Sequence, residues 1–99
     1  MINFMMIAIV PLGYANKVIR AANETGASGA TILHARGADS SKNEGLFSFK
    51  IEPEEEIIMI TATKEVANEV CTKIHEEFEK DSMRSGFVYI LPALGNFGL

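Results

Sequence analysis

Six segments in the order β-α-β-β-α-β predict an α+β fold for this chain, a four-stranded antiparallel sheet with both helices on one face. Three observations carry that reading. Two stretches repeat apolar residues at helical spacing, four others are short runs rich in β-branched, aromatic and other apolar residues, and Gly or Pro marks most of the boundaries.

The first strand is predicted over Phe4 to Val10, a continuous apolar run stopped by Pro11 and Gly13, with neither face polar. From Tyr14 to Thr25, Ala15, Val18, Ile19 and Ala22 fall on one helical face, opposite Asn16, Lys17, Arg20 and Asn23, and Gly26 supplies a stop. The second strand is placed at Gly29 to Ala35 (GATILHA), ending as the chain enters Arg36-Gly37. A polar loop from Ala38 to Gly45 follows and closes at Leu46.

Phe47 to Glu52 alternates, with Phe47, Phe49 and Ile51 on one face and Ser48, Lys50 and Glu52 on the other. Pro53 interrupts this run and Ile57 to Thr61 resumes it as fully apolar, which predicts one bent or bulged strand, since Pro removes a ladder donor. The second helix spans Lys64 to Lys80. Val66, Ala67, Val70, Cys71, Ile74 and Phe78 give the apolar stripe, Thr63 stands at the N-cap and Glu65 in the first turn suits the helix dipole. Phe87 to Leu91 is the last strand, closed by Pro92, and Ala93 to Leu99 forms a short Gly-rich tail.

The chain's 99 residues, 47% apolar and 22% charged, predict one domain over 1–99, large enough to bury roughly two thirds of its unfolded surface without a disulfide. Cys71 is the single cysteine and can make no internal disulfide, so a reducing, cytoplasmic compartment is expected. The longest apolar stretch falls well short of the roughly 20 residues a membrane-spanning helix needs, so neither membrane insertion nor a signal peptide is expected. Nine Lys and Arg against 13 Asp and Glu give a formal charge of -4, and no basic run is present to neutralise successive phosphates, so nucleic acid is not expected as a partner.

The apolar runs predict more than a monomer. The first strand, Ile57 to Ile60 and Phe87 to Leu91 are apolar on both sides, whereas two helices can cover only one sheet face. Burying the other between copies of the chain is favoured by about 25 cal/mol per Å2, so an oligomer is expected.

Catalysis is not expected. His34 reads as a sheet residue, His75 beside Glu76 and Glu77 as part of a solvated helix face, and no metal-ligand spacing joins them. Cys71 lies on the apolar stripe as a small core residue, and Glu54, Glu55 and Glu56 read as a solvated turn before a strand. Neither a nucleophile-base pair nor a Walker-type loop is visible. Arg36 and Arg84, two of three arginines, flank glycines at strand ends and are candidates for holding an anion.

Three stretches resemble the P-II-like signalling proteins of the nitrogen regulatory protein P-II superfamily. They are GASGATILHARG at Gly26 to Gly37, the bend at Ile51 to Ile60 feeding the second helix, and GFVYILP at Gly86 to Pro92. The resemblance covers nearly the whole chain. It implies a ferredoxin-like fold packed as a homotrimer with the sheets facing inward. It also implies an adenine nucleotide effector, ATP, ADP or AMP, bound in clefts between subunits, and a loop after the second strand that docks on a regulated transporter or enzyme, with nitrogen metabolism as the setting. Gly29, Ala30 and Thr31 match the stretch whose backbone lies along the adenine, and Arg36-Gly37 match the start of the signalling loop. Arg84 and Gly86 stand where the family has its phosphate loop, so the implied nucleotide site is Gly29, Ala30, Thr31, Arg36, Gly37, Arg84 and Gly86. The implied partner-binding loop contains Asp39, Ser40, Ser41, Lys42 and Asn43.

The chain departs from the family pattern in several places. Its loop is short and lacks a tyrosine to be uridylylated, since the only tyrosines are Tyr14 and Tyr89, and the sequence has no Gln at all. LPALGNFGL, without a cation, replaces the family's basic C-terminal segment. A ligand of low charge such as a monophosphate, or modest affinity for ATP and ADP, is therefore expected, because a polyphosphate needs several donors or charges to offset its lost hydration. The alternative is a nucleotide-independent interaction module docking on a transporter or enzyme.

Asp39, Ser40, Ser41, Lys42, Asn43 and Gly45 offer no apolar anchor before Leu46, so the loop is predicted to be mobile without a partner. Replacing Asp39 to Glu44 by two glycines is expected to leave thermal unfolding nearly unchanged, because closure entropy varies slowly with loop length. Unfolding of that variant in a circular dichroism melt would make the loop structural.

Overall fold

The six elements form in the predicted order, with shifted ends for the second and third strands. The computed structural model describes residues 3–27, 29–39, 50–80 and 86–97. Its elements are β1 (Phe4–Pro11), α1 (Ala15–Glu24), β2 (Thr31–Asp39), β3 (Lys50–Ala62), α2 (Lys64–Lys80) and β4 (Phe87–Pro92). The strands make one antiparallel sheet in the order β2-β3-β1-β4, so β2 and β4 are the edges. This is the predicted ferredoxin-like architecture.

Strand alternation decides what is buried. Met6, Ala8 and Val10 of β1 point to the helices and are buried, as are Ile58 and Ile60 of β3, which stand opposite Ala8 and Met6 in register. Val88 and Ile90 of β4 join them on the other side. From above, α1 contributes Ala15, Val18, Ala21 and Ala22, and α2 contributes Ala67, Val70 and Ile74. Each of the larger side chains stabilises the fold by about 1.5–3 kcal/mol on burial.

Among the described residues, none covers the opposite face. Ile7, Met59 and Tyr89 form one row across it with Thr31, and Ile9, Ile57 and Phe87 form the next with Leu33. Phe87 is 65% exposed, Tyr89 50% and Leu33 45%, and the rings of Phe87 and Tyr89 stack with centroids 6.3 Å apart. The uncovered apolar face expected from the doubly apolar runs is therefore present.

Helix ends are held by particular groups. Thr63 caps α2 through its Oγ1, which accepts from the Val66 N–H at 3.3 Å, as its position predicts. α1 has no such cap, since Tyr14 makes no side-chain bond there and the first turn holds no acid. Glu56 of β3 fills the role: its Oε1 accepts from the Gly13 N–H at 2.8 Å and the Ala15 N–H at 3.3 Å. Its side chain is only 12% exposed, and His34 Nε2 stands 3.8 Å from the other oxygen. The reading of Glu54, Glu55 and Glu56 as a solvated turn is thus corrected. All three belong to β3, and although Glu54 stays exposed, Glu56 lies two residues further along the strand, where its carboxylate reaches the orphan N–H groups of α1. At the other end of α1, Gly26 adopts φ +94° and the Ala27 N–H returns to the Ala22 carbonyl at 3.0 Å, the stop predicted from Gly26.

The hairpin between β2 and β3 departs from the predicted boundaries. β2 begins at Thr31, after Gly29 and Ala30, and runs on through Ala38 and Asp39, which pair with Ile51 and Lys50. These two residues therefore belong to a strand rather than to the loop, because β3 gives them ladder partners. Ser40, Ser41, Lys42 and Asn43, with the rest of the segment to Phe49, lie outside the described residues. The Pro53 interruption is a bulge in a continuous strand. Arg36 pairs with Glu54 and Ala38 with Ile51, so Glu52 and Pro53 together oppose Gly37. β1 ends at Pro11 opposite Glu55, so Pro53 lies where β3 has a neighbour on one side only, a position that tolerates the missing donor.

Gly86 is fixed by close approach. It has φ +133°, and a Cβ built there would stand 2.9 Å from the Ile9 carbonyl oxygen. Gly86→Ala is expected to destabilise the fold by about 1–3 kcal/mol through backbone strain, measured by chemical denaturation. Glu56→Ala is expected to lower stability by about 1–2 kcal/mol, whereas Glu56→Gln, which keeps an acceptor oxygen, should recover most of that loss. Equal losses for Ala and Gln would mean that the capping bonds contribute little.

Candidate functional site

A recess of about 270 Å3 opens on the uncovered sheet face at the β2 edge, lined by Gly29, Ala30, Thr31, Met59 and Thr61. Its form follows from the local sequence. Gly29 and Ala30 approach the sheet as exposed, small residues, and a Cβ on Gly29 would meet nothing within 4 Å. Thr31 then enters the ladder opposite Met59, and Thr61 lies one step along the same face of β3. Thus the recess has a soft apolar floor in Met59, two hydroxyls, and open backbone beside Gly29. Among the described residues, no charged side chain lines it. Such a surface accommodates a flat, uncharged ring that hydrogen-bonds at its edges.

A larger recess of about 350 Å3 is lined by Asn68, Glu69, Thr72, Lys73 and Glu76. All five residues lie on α2, so it is a groove along the exposed side of one helix. Lys73 there is engaged by Glu24 of α1 at 3.1 Å. Its mixed charge and single-element lining give it no convergent geometry.

The remaining residues of the implied site stand apart within one chain. Arg36 is exposed and lies five residues beyond Thr31, about 16 Å along an extended strand. It pairs with Glu54 on the helix side of the sheet, the face opposite to Thr31. Gly37 faces the bulge at Glu52 and Pro53. Gly86 precedes β4 at the far edge, three strand spacings or roughly 14 Å across the sheet from β2. Arg84 lies outside the described residues. A single chain therefore gathers Gly29, Ala30 and Thr31 into one recess and leaves Arg36, Gly37 and Gly86 outside it.

Sequence reasoning missed Met59 and Thr61, which it assigned only to an apolar strand. The available signal was alternation: residues 57, 59 and 61 share the face opposite to buried Ile58 and Ile60. Other candidates are accounted for structurally. Cys71 is half-buried, and burial pushes its thiol pKa up, away from a nucleophilic thiolate. His75 is exposed with Glu79 at 3.5 Å on the same helix. Among the described residues, no group of three or more His, Cys, Asp or Glu is placed to hold a metal ion, and no helix is long and apolar enough to cross a membrane.

Similarity to solved structures runs along the whole fold. A PII-like signalling protein from Thermus thermophilus has a TM-score of 0.66 at 20% identity, covering 93% of this chain and 86% of its own. CPII, a nitrogen regulatory PII-like protein from Thiomonas intermedia K12 solved with ADP, AMP and bicarbonate, gives a TM-score of 0.71 at 14% identity, over 100% of this chain and 98% of its own. The B. subtilis GlnK-ATP complex gives 0.71 at 13% identity, over 93% and 83%. At these identities the likeness speaks for the fold. Among curated proteins, none is significantly similar in sequence. The sequence model of the family described as Nitrogen regulatory protein P-II matches residues 4–94. With every element from β1 to the end of β4 inside that match, the chain belongs to the nitrogen regulatory protein P-II family.

Proposed function

We propose that this protein is a trimeric regulator that binds an adenine nucleotide in clefts between subunits and controls a partner transporter or enzyme through the loop after β2, in nitrogen metabolism and without catalytic activity of its own. The observation that carries the reading is the recess at Gly29, Ala30 and Thr31, the positions that match the family's adenine-binding stretch. Its open, uncharged walls suit a purine ring. ADP, AMP and ATP in the solved structures of CPII and GlnK support an adenine nucleotide as the ligand class.

Assembly supports the same reading from another side. Arg36 and Gly37 on the β2 edge and Gly86 on the β4 edge are too far apart in one chain to hold one small ligand. A ring in which the β2 edge of one copy lies beside the β4 edge of the next joins them and covers the open sheet face together. The cytoplasm, as a reducing compartment, suits the free Cys71. The family's trimeric habit makes three the natural number of copies.

A second reading is favoured by the lack of charge among the described residues that line the recess. An interaction module that docks on its target without nucleotide would need no cation there, and residues 86–99 supply none. Calorimetry separates the two. Titration with ATP, ADP and AMP is expected to show binding, with AMP, the least charged of the three, favoured and with only modest affinity for ATP and ADP. No heat with any of the three at millimolar concentration would leave the interaction module as the better reading.

Arg84→Ala is expected to weaken nucleotide binding by about 1.5–3 kcal/mol, roughly 10- to 150-fold, and to leave folding nearly unchanged, as for loss of a hydrogen bond to a charged group. Equal affinity in wild type and variant would remove Arg84 from the site.

A further inference from the structure

Beyond β4 the chain carries large apolar side chains with no cover. Leu94 is wholly exposed and Phe97 is 88% exposed, and no residue from 86 to 99 is charged. The root of this segment is fixed. Pro92 is the last residue of β4 paired with β1, opposite Phe4, and the Ala93 N–H donates to the Asn3 carbonyl at 3.0 Å. The segment therefore leaves the sheet at the β4 edge, at the end of the strands where β2 begins on the opposite edge. It follows the exposed apolar residues Phe87, Tyr89 and Leu91 along the chain.

Area and symmetry point to the occupant. Four strands at about 4.8 Å and five residues at about 3.3 Å give the open face roughly 320 Å2 in projection. A stable interface buries about 800 Å2 on each partner. A phenylalanine by itself brings about 150–250 Å2, so the segment adds substantially to what the sheet face offers. A closed ring of three copies also requires heterologous contacts, in which one patch meets a different patch on the next copy. The segment at the β4 edge and the exposed Leu33 of the β2 edge are two such patches, on opposite edges of the sheet.

We propose that residues 94–97 form an exchanged arm that packs against the exposed Leu33 of the β2 edge on the next copy of this chain, beside the Thr31 recess and not in it, so that each subunit clasps its neighbour. The proposal rests on the trimer reading above. Its chemistry is apolar contact, with Leu94 and Phe97 as anchors, and it gives an uncharged segment a role in assembly independent of any phosphate.

The test is sedimentation equilibrium of the full chain, wild type against the double variant Leu94→Ser/Phe97→Ser, from nanomolar to micromolar protein, with circular dichroism of each. The double variant is expected to dissociate at a concentration at least tenfold higher than wild type with its helix and strand signal intact, while Phe97→Leu stays near wild type. A trimeric wild type matched by an equally tight variant overturns the arm alone. Loss of the dichroism signal in the double variant also overturns it, because the segment would then belong to the subunit's own fold. A monomeric wild type overturns the trimer reading, and the arm with it.

Discussion

A four-stranded sheet with apolar side chains on both faces and only two helices to cover them is the constraint on which the rest of this molecule depends. Met6, Ala8, Val10, Ile58 and Ile60 are buried under α1 and α2, while Ile7, Ile9, Ile57 and Met59 alternate with them on the face the helices do not reach. Alternation along a strand allows no compromise, since a one-residue slip of register would exchange the two sets. Both faces are nevertheless apolar, so the subunit is stable in its helix-facing half and unfinished in the other. Water contact with the second face is unfavourable for a lone subunit, and the proposed association with further copies would remove it.

The same constraint governs the site. The recess formed by Gly29, Ala30, Thr31, Met59 and Thr61 lies on the unfinished face at a sheet edge. A second copy packed on this face would border the recess, so the proposed ligand site and the proposed interface share a surface. The lining suits one kind of ligand: a thioether, two hydroxyls and bare backbone can hold a ring by contact and hydrogen bonds, but the described lining offers no cation to a chain of phosphates. Arg36 stands about 16 Å along β2 on the other face.

Smaller devices hold the frame in register. Glu56 crosses from β3 to close the uncapped start of α1, which ties the first helix to the centre of the sheet. Tyr14 meets Phe78 edge to face with centroids 5.7 Å apart, joining the start of α1 to the end of α2. The bulge at Glu52 and Pro53 opposite Gly37 lets the β2–β3 ribbon continue past the end of β1 without a proline donor being needed. Gly86 lets β4 begin against the Ile9 carbonyl, where a side chain would collide.

The order and type of the elements were legible in the sequence because they depend on local periodicity. Val66, Val70 and Ile74 at helical spacing located α2 with both its ends, and the continuous run at Phe4 to Val10 located β1 and announced that two faces would be apolar. Gly29, Ala30 and Thr31 were singled out through their resemblance to the family's adenine-binding stretch, and the fold brings them into one recess. What depended on pairing was not legible. Ala38 and Asp39 are strand because Ile51 and Lys50 lie across from them, Glu56 is a cap because strand register brings it to α1, and Met59 and Thr61 join Thr31 only when β3 lies beside β2. Sequence by itself determined which residues must leave water, since that is a property of each side chain; tertiary structure decided which of them meet, since that is set by register between segments far apart in the chain.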